Sequence, residues 1–148
     1  MTDRDAIWWH ELNCWDADAA MIFYARTLGW RFEKVRLPGG ESYHVAYRQG
    51  RPVCGIFELD EAAHAGIPAH WMTYLAVEDL DACLKETVRA GGRTMRAPAF
   101  LPGVGRLAVV VDATDAIIGL IEPAADHPLR ADEADRETAL PHGHALQA

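Results

Sequence analysis

An α+β fold made of two copies of one βαβββ unit is the architecture this sequence predicts, and three observations predict it. Extended, aromatic-rich runs alternate with two amphipathic helical stretches and are separated by glycine-bearing turns. The second half repeats the first in a single register: Trp8 corresponds to Trp71, Asp16 to Asp79, Asp18 to Asp81, Ala19 to Ala82 and Gly29 to Gly92. Matches in one register, with the same elements inferred around them, indicate an internal duplication. The composition, 50% hydrophobic and 24% charged over 148 residues, supplies a core for two small modules and argues against wholesale disorder.

In order, Ile7 to Cys14 is rich in aromatic and β-favouring side chains and predicts a strand. Asp16 can accept from the free N–H groups of a following helix turn. Ala20, Phe23, Tyr24 and Leu28 then recur at helical spacing and predict the buried face of that helix, with Gly29 as its stop. Extended runs follow at Trp30 to Val35, Ser42 to Arg48 and Val53 to Leu59, joined by turns at Pro38-Gly39-Gly40 and Gln49-Gly50. Asp60 to Ala69 reads as a linker. The second module predicts a strand at His70 to Val77, a helix at Leu80 to Ala90 and a strand at Arg93 to Ala97. A long loop at Pro98 to Gly105 and strands at Arg106 to Asp112 and Ile117 to Ile121 complete it. The expected organisation is one domain over residues 5–123, with modules at 7–60 and 70–123, and an acidic C-terminal tail at 124–148. His142 and His144 in that tail read as solvated side chains rather than a metal site.

A formal charge of −8 and a pI near 5.2 argue against nucleic acid or an anionic membrane as the partner. No apolar run approaches the roughly 20 residues of a membrane helix, and MTDRDAIWW lacks the basic start and apolar stretch of a secretion signal. The cytoplasm is therefore the expected location. Cys14, Cys54 and Cys83 have no metal-like spacing and are expected to be reduced.

WHELN with the following D-x-DAA and LGW, then PAHWMTYLAVEDLDA and PGVGRLAVVVDATDA, together resemble the vicinal oxygen chelate superfamily. That superfamily holds glyoxalase I, bleomycin- and fosfomycin-resistance proteins and extradiol dioxygenases, and the resemblance extends to glyoxalase-like proteins with W-x-E-L and PGVGR signatures. It covers residues 7 to 123. It implies that the two modules form a half-open barrel around a central cavity, which in the superfamily's enzymes holds a divalent metal bound by His and Glu. The implied ligand positions here carry Trp9, Met72, Gly119 and Ile56 or Phe57, none of which offers a carboxylate or imidazole. A metal-free protein without cofactor is the expectation.

Strand alternation assigns the faces. Trp8, His10, Leu12 and Cys14 share one side of the first strand, and Trp9, Glu11 and Asn13 the other. In the repeat, the Trp71 side is the more apolar and suits the helix, so Trp9, Glu11, Asn13, Met72, Tyr74 and Ala76 are expected to face the cavity. Phe100 and Arg106, from the long loop and its strand, are expected to add to the lining. An ionised Glu11 is costly to bury without a partner, and Arg106 or Tyr74 is the expected one. His10 and Glu58 stand one or two residues out of register for a ligand. His70 reads as a rim residue.

Two functions fit this reading. The first is a metal-free binding protein for a small aromatic or amphipathic molecule, contacted by Trp9, Glu11, Asn13, Met72, Tyr74, Phe100 and Arg106. The alternative is a lyase-, isomerase- or oxygenase-type enzyme. It would use Glu11 as general base and Tyr74 as proton donor, or a shifted metal site through His10, Glu58 or Glu11. A homodimer is also expected, from sheet edges and apolar rims such as Trp15 and Trp30.

Overall fold

The computed structural model describes residues 7–37 and 39–125. The acidic tail from residue 126 on, with His142 and His144, lies outside the described residues.

The first module runs β1 (Ile7–Cys14), α1 (Ala17–Leu28), β2 (Arg31–Arg36), β3 (Ser42–Arg48) and β4 (Arg51–Glu58). A single helical turn, α2 (Glu61–His64), occupies the linker. The second module is β5 (His70–Ala76), α3 (Leu80–Arg89), β6 (Arg93–Leu101), β7 (Gly105–Val111) and β8 (Ile117–Pro123). The eight strands form one sheet in the order β2-β3-β4-β1-β5-β8-β7-β6, curled into a half-barrel. Within each module the first and last strands pair parallel, β1 with β4 and β5 with β8. The modules join edge to edge through the antiparallel pair β1–β5.

The duplicated sequence signals give duplicated caps. Asp16 Oδ1 accepts from Ala19 N at 2.8 Å, and Asp79 Oδ1 from Ala82 N at 2.9 Å. Each helix start has a second acceptor from the end of its own module. Glu58 Oε2 accepts from Ala17 N at 2.8 Å, and Glu122 Oε2 from Leu80 N at 2.9 Å. Glu58 therefore serves the outer, helix-bearing side, and its reading as a shifted metal ligand is corrected. Gly29 closes α1 in the left-handed conformation, φ 70°.

The outer face of the sheet carries two helix-covered clusters, Leu12, Cys14 and Ile56 under α1 and Ala108, Val110 and Leu120 under α3. The inner face carries the largest cluster, with Trp9, Tyr43, Phe57, Met72, Tyr74, Leu107 and Ile121. Alternation along β1 and β5 thus sorts Trp9, Met72 and Tyr74 inward and Leu12 and Cys14 outward.

Four expectations need correction. Trp8 joins the inner cluster beside Trp9, because the β1–β5 register shifts between Ile7 and Trp9 and breaks the alternation there. On α1, Ala17, Ala20, Met21 and Tyr24 pack on the sheet, while Phe23 and Leu28 are exposed. The helix is rotated so that the cap-side Ala17 starts the buried stripe. His10 is exposed and pairs with Thr73, so the ligand reading of His10 also falls. The expected Pro98 to Gly105 loop is largely strand, since β6 continues to Leu101. Pro98 is tolerated because β6 is the edge of the sheet, and register shifts on both sides of Arg96 absorb the irregularity.

Of the two tryptophans expected at uncovered rims, Trp15 donates its indole N–H to the Ile67 carbonyl at 2.9 Å. Trp30 stacks on Tyr24 at 5.2 Å. Among the described residues, no helix is long and apolar enough to cross a membrane. All three cysteines are free thiols. Burial pushes the Cys54 thiol up to about 12, and Cys14 and Cys83 are raised for the same first cause.

Candidate functional site

Glu11 sits at the middle of β1 with its side chain on the inner face and is 0% exposed. Its partner across the module junction is set by the duplication, because the β5 position equivalent to Glu11 is Tyr74. The Tyr74 hydroxyl donates to Glu11 Oε1 at 3.0 Å. Arg96 on β6 completes the arrangement: its Nη2 lies 3.1 Å from Glu11 Oε1 and 3.4 Å from Oε2, and it also donates to the Tyr74 hydroxyl. The guanidinium carbon stands 5.0 Å from the centre of the Phe57 ring, so the cation is also held over an aromatic face.

Two glycines make the arrangement possible. Gly55 lies opposite Glu11 in the β1–β4 pair, and Gly119 lies opposite Tyr74 in the β5–β8 pair. A Cβ at Gly55 would overlap the Tyr43 ring, and one at Gly119 would overlap the Tyr74 ring. Each tyrosine lies flat across a strand that must have no side chain there.

The electrostatics follow from burial around one carboxylate. Burial first, and the Glu11 charge second, push the Tyr74 and Tyr43 phenols well above their ordinary value, so both stay protonated donors at neutral pH. Burial works against the Arg96 charge, but Glu11 and Tyr74 more than offset it and raise the guanidinium above its usual range. Trp9 donates its indole N–H to the Tyr43 hydroxyl at 3.1 Å, which orients that phenol.

The group borders a cavity of about 440 Å³ lined by Glu11, Tyr43, Phe57, Arg96, Phe100 and Leu107, among others. A second cavity of about 240 Å³ is lined by Asn13, Leu59, His70, Met72, Met95 and Val109. Ala63, His64 and Arg96 line both. His64, from the single turn α2, packs edge-on against Phe57 at 5.6 Å, and its Nδ1 lies 3.4 Å from Asp60 Oδ2.

Of the expected site residues, Glu11, Asn13, Met72 and Phe100 line these cavities, Phe100 as a half-exposed rim. Trp9 and Tyr74 are buried in the inner cluster and reach the lining through their hydrogen bonds to Tyr43 and Glu11. Arg106 is on the wrong side. It shares a face of β7 with Ala108 and Val110, beneath α3, and pairs with Asp81 at 3.1 Å and Glu122 at 3.8 Å. The cation beside Glu11 is Arg96 instead. A register shift between Thr94 and Arg96 turns it inward beside Val109. Tyr43 and His64 were also missed. The alternation of Tyr43 with Val45 marked a buried face, whereas nothing in the linker's spacing signalled that His64 folds back over the cavity. Among the described residues, no group of three or more His, Cys, Asp or Glu side chains converges.

Comparisons with known proteins bear on the family and the fold. A Mycobacterium tuberculosis protein provisionally named as the glyoxylase CFP32 is 38% identical over 114 residues, covering 76% of this chain and 43% of that protein. The anthracycline biosynthesis protein DnrV of Streptomyces peucetius is 31% identical over 119 residues, covering 73% of this chain and 43% of that protein. The chain thus spans less than half the length of these curated relatives. Methylmalonyl-CoA epimerase from Mycobacterium tuberculosis superposes with a TM-score of 0.59 at 21% identity, over 89% of this chain and 95% of that one. The Streptomyces coelicolor methylmalonyl-CoA epimerase in complex with methylmalonyl-CoA and NH4+ superposes with a TM-score of 0.62 at 19% identity, over 83% and 97%. At these identities the likeness shows the fold. Residues 7–115 match the profile of the Glyoxalase/Bleomycin resistance protein/Dioxygenase superfamily, and the chain belongs to that superfamily.

Proposed function

We propose that this chain binds a small, mainly aromatic molecule in the half-barrel cavity, with Glu11 as its principal polar contact and no metal ion between them. One observation carries the reading: a fully buried carboxylate, bound by Tyr74 and Arg96, opens onto an apolar and aromatic cavity of about 440 Å³. A buried carboxylate can accept a ligand O–H or N–H through its remaining lone pairs. The name of the relative from Streptomyces peucetius, an anthracycline biosynthesis protein, supports a flat polycyclic ligand as the class.

The residues present do not fit a divalent ion. The implied ligand positions hold Trp9, Met72 and Gly119, with Ile56 and Phe57 in β4, and the Tyr74 ring covers Gly119. Glu11 already faces the Arg96 cation, whose charge opposes that of a metal.

A neutral Tyr74 hydroxyl aimed at a buried carboxylate favours a second reading, proton transfer with Glu11 as base and Tyr74 as donor. The name glyoxylase given to the mycobacterial relative is in keeping with it.

The Glu11→Gln variant tests both. It keeps the shape and removes the charge, so affinity for 2-hydroxyfluorene, a rigid aromatic O–H donor, is expected to fall roughly ten- to a hundredfold. Isothermal titration checks this on the full chain. Equal affinity in variant and wild type, or no binding to the wild type, would sink the binding reading. Binding retained with turnover lost would favour proton transfer.

A further inference from the structure

We propose that the smaller, 240 Å³ cavity is a second subsite of the same ligand site, in which the Asn13 amide donates to an acceptor oxygen on the molecule whose O–H or N–H meets Glu11. This rests on the binding function proposed above and narrows the ligand class.

Asn13 is 4% exposed, and its Nδ2 has no hydrogen-bond partner among the described residues. Buried donors without partners are rare in folded proteins, because the lost water contact is not regained. Among the described residues, no acceptor in the subsite lies within hydrogen-bond reach of that donor. Leu59, Met72 and Val109 are apolar, and His64, His70 and Arg96 in the lining each have one nitrogen held by a partner other than Asn13. His70 Nδ1 is against the Pro68 carbonyl at 2.8 Å, His64 is against Asp60, and Arg96 is against Glu11. A buried amide donor with no protein partner, in a mainly apolar cavity with a few polar groups, is the arrangement that recognises a single carbonyl or ether oxygen.

Position fixes the rest. Glu11 and Asn13 stand two residues apart on the inner face of β1, which sets their Cα atoms about 6.6 Å apart. Arg96 and His64 wall both cavities, so one flat molecule lying along β1 passes both. The ligand class is therefore an apolar, ring-based molecule carrying a hydrogen-bond donor and an acceptor oxygen roughly one strand repeat apart.

The test uses two rigid probes that differ in one group: 2-hydroxyfluorenone, with a ring carbonyl, and 2-hydroxyfluorene, with a methylene in its place. Both are titrated calorimetrically into the full chain as wild type, Asn13→Ala, Asn13→Leu and Glu11→Gln. In the wild type the carbonyl is expected to tighten binding about three- to tenfold. That advantage is expected to vanish in Asn13→Ala and Asn13→Leu, while Glu11→Gln weakens both probes. Asn13→Leu is near in volume and leaves no orphaned polar group, so it serves where the alanine variant does not fold. A carbonyl advantage that survives loss of Asn13, or none in the wild type, overturns the second subsite. The Glu11 reading then stands if Glu11→Gln still weakens 2-hydroxyfluorene. Failure of the folded wild type to bind either probe overturns both.

Discussion

Arg96 shows how one residue holds the site together. Its side chain is 32% exposed, yet it reaches a carboxylate that is fully buried, so it supplies the counter-charge to Glu11 inside the barrel. Removing the cation leaves the buried carboxylate with the neutral Tyr74 and Tyr43 hydroxyls beside it and without its counter-charge. Arg96→Met, which keeps much of the stem, is expected to destabilise the fold by about 3 kcal/mol. The double variant Arg96→Met/Glu11→Gln should recover most of that loss, because the neutral amide no longer needs a counter-charge. Urea unfolding of the four proteins closes the cycle. A double variant no more stable than Arg96→Met would show that Arg96 acts through packing on Phe57 alone.

At the scale of elements, the last strand of each module does two jobs with one alternation. Its inner face carries the glycine beneath a tyrosine ring, Gly55 in β4 and Gly119 in β8. Its end carries the carboxylate that caps the module's helix, Glu58 or Glu122. The two functions are separated by the sheet, so cap and site should vary independently. Glu58→Ala and Glu122→Ala are each expected to cost about 0.5–2 kcal/mol, the usual range for losing a helix-start acceptor. Affinity for 2-hydroxyfluorene should be unchanged in both. A cap variant that also loses the ligand would show that helix position is coupled to the cavity.

For the molecule as a whole, Tyr43 and Tyr74 tie the two modules to one carboxylate, and both phenols are raised well above their ordinary value by burial and then by Glu11. The sign of the pH dependence follows. A phenol raised in the folded state stabilises the fold fully below the unfolded value, near 10. Above that, the unfolded chain loses its proton and the folded one does not, so each phenol removes about 1.4 kcal/mol of stability per pH unit. Of the four tyrosines, these two are expected to ionise only as the protein unfolds. Phenolate absorbance should then rise in step with loss of circular dichroism. Reversible titration of all four tyrosines with the fold intact would contradict the buried network.

Sequence by itself determined the fold class and the inward face. Period-two alternation along β1 and β5 is a local property of the chain, and so are the Asp16 and Asp79 caps and the glycine that stops α1. A duplication visible in the residues carries the architecture with it. For the same reason Glu11, Asn13, Met72 and Tyr74 could be assigned to the inner side before any contact was known. Tertiary structure alone decided what stands beside them. Arg96 faces inward because a bulge on an edge strand breaks the alternation, and Arg106 faces outward because its own strand keeps it. His64 reaches the cavity through a single helical turn with no periodicity to read. Trp8 turns inward at a register shift set by the neighbouring strand. Alternation and capping are encoded within a few residues, whereas bulges, folded-back linkers and ion-pair partners depend on segments far apart in the chain.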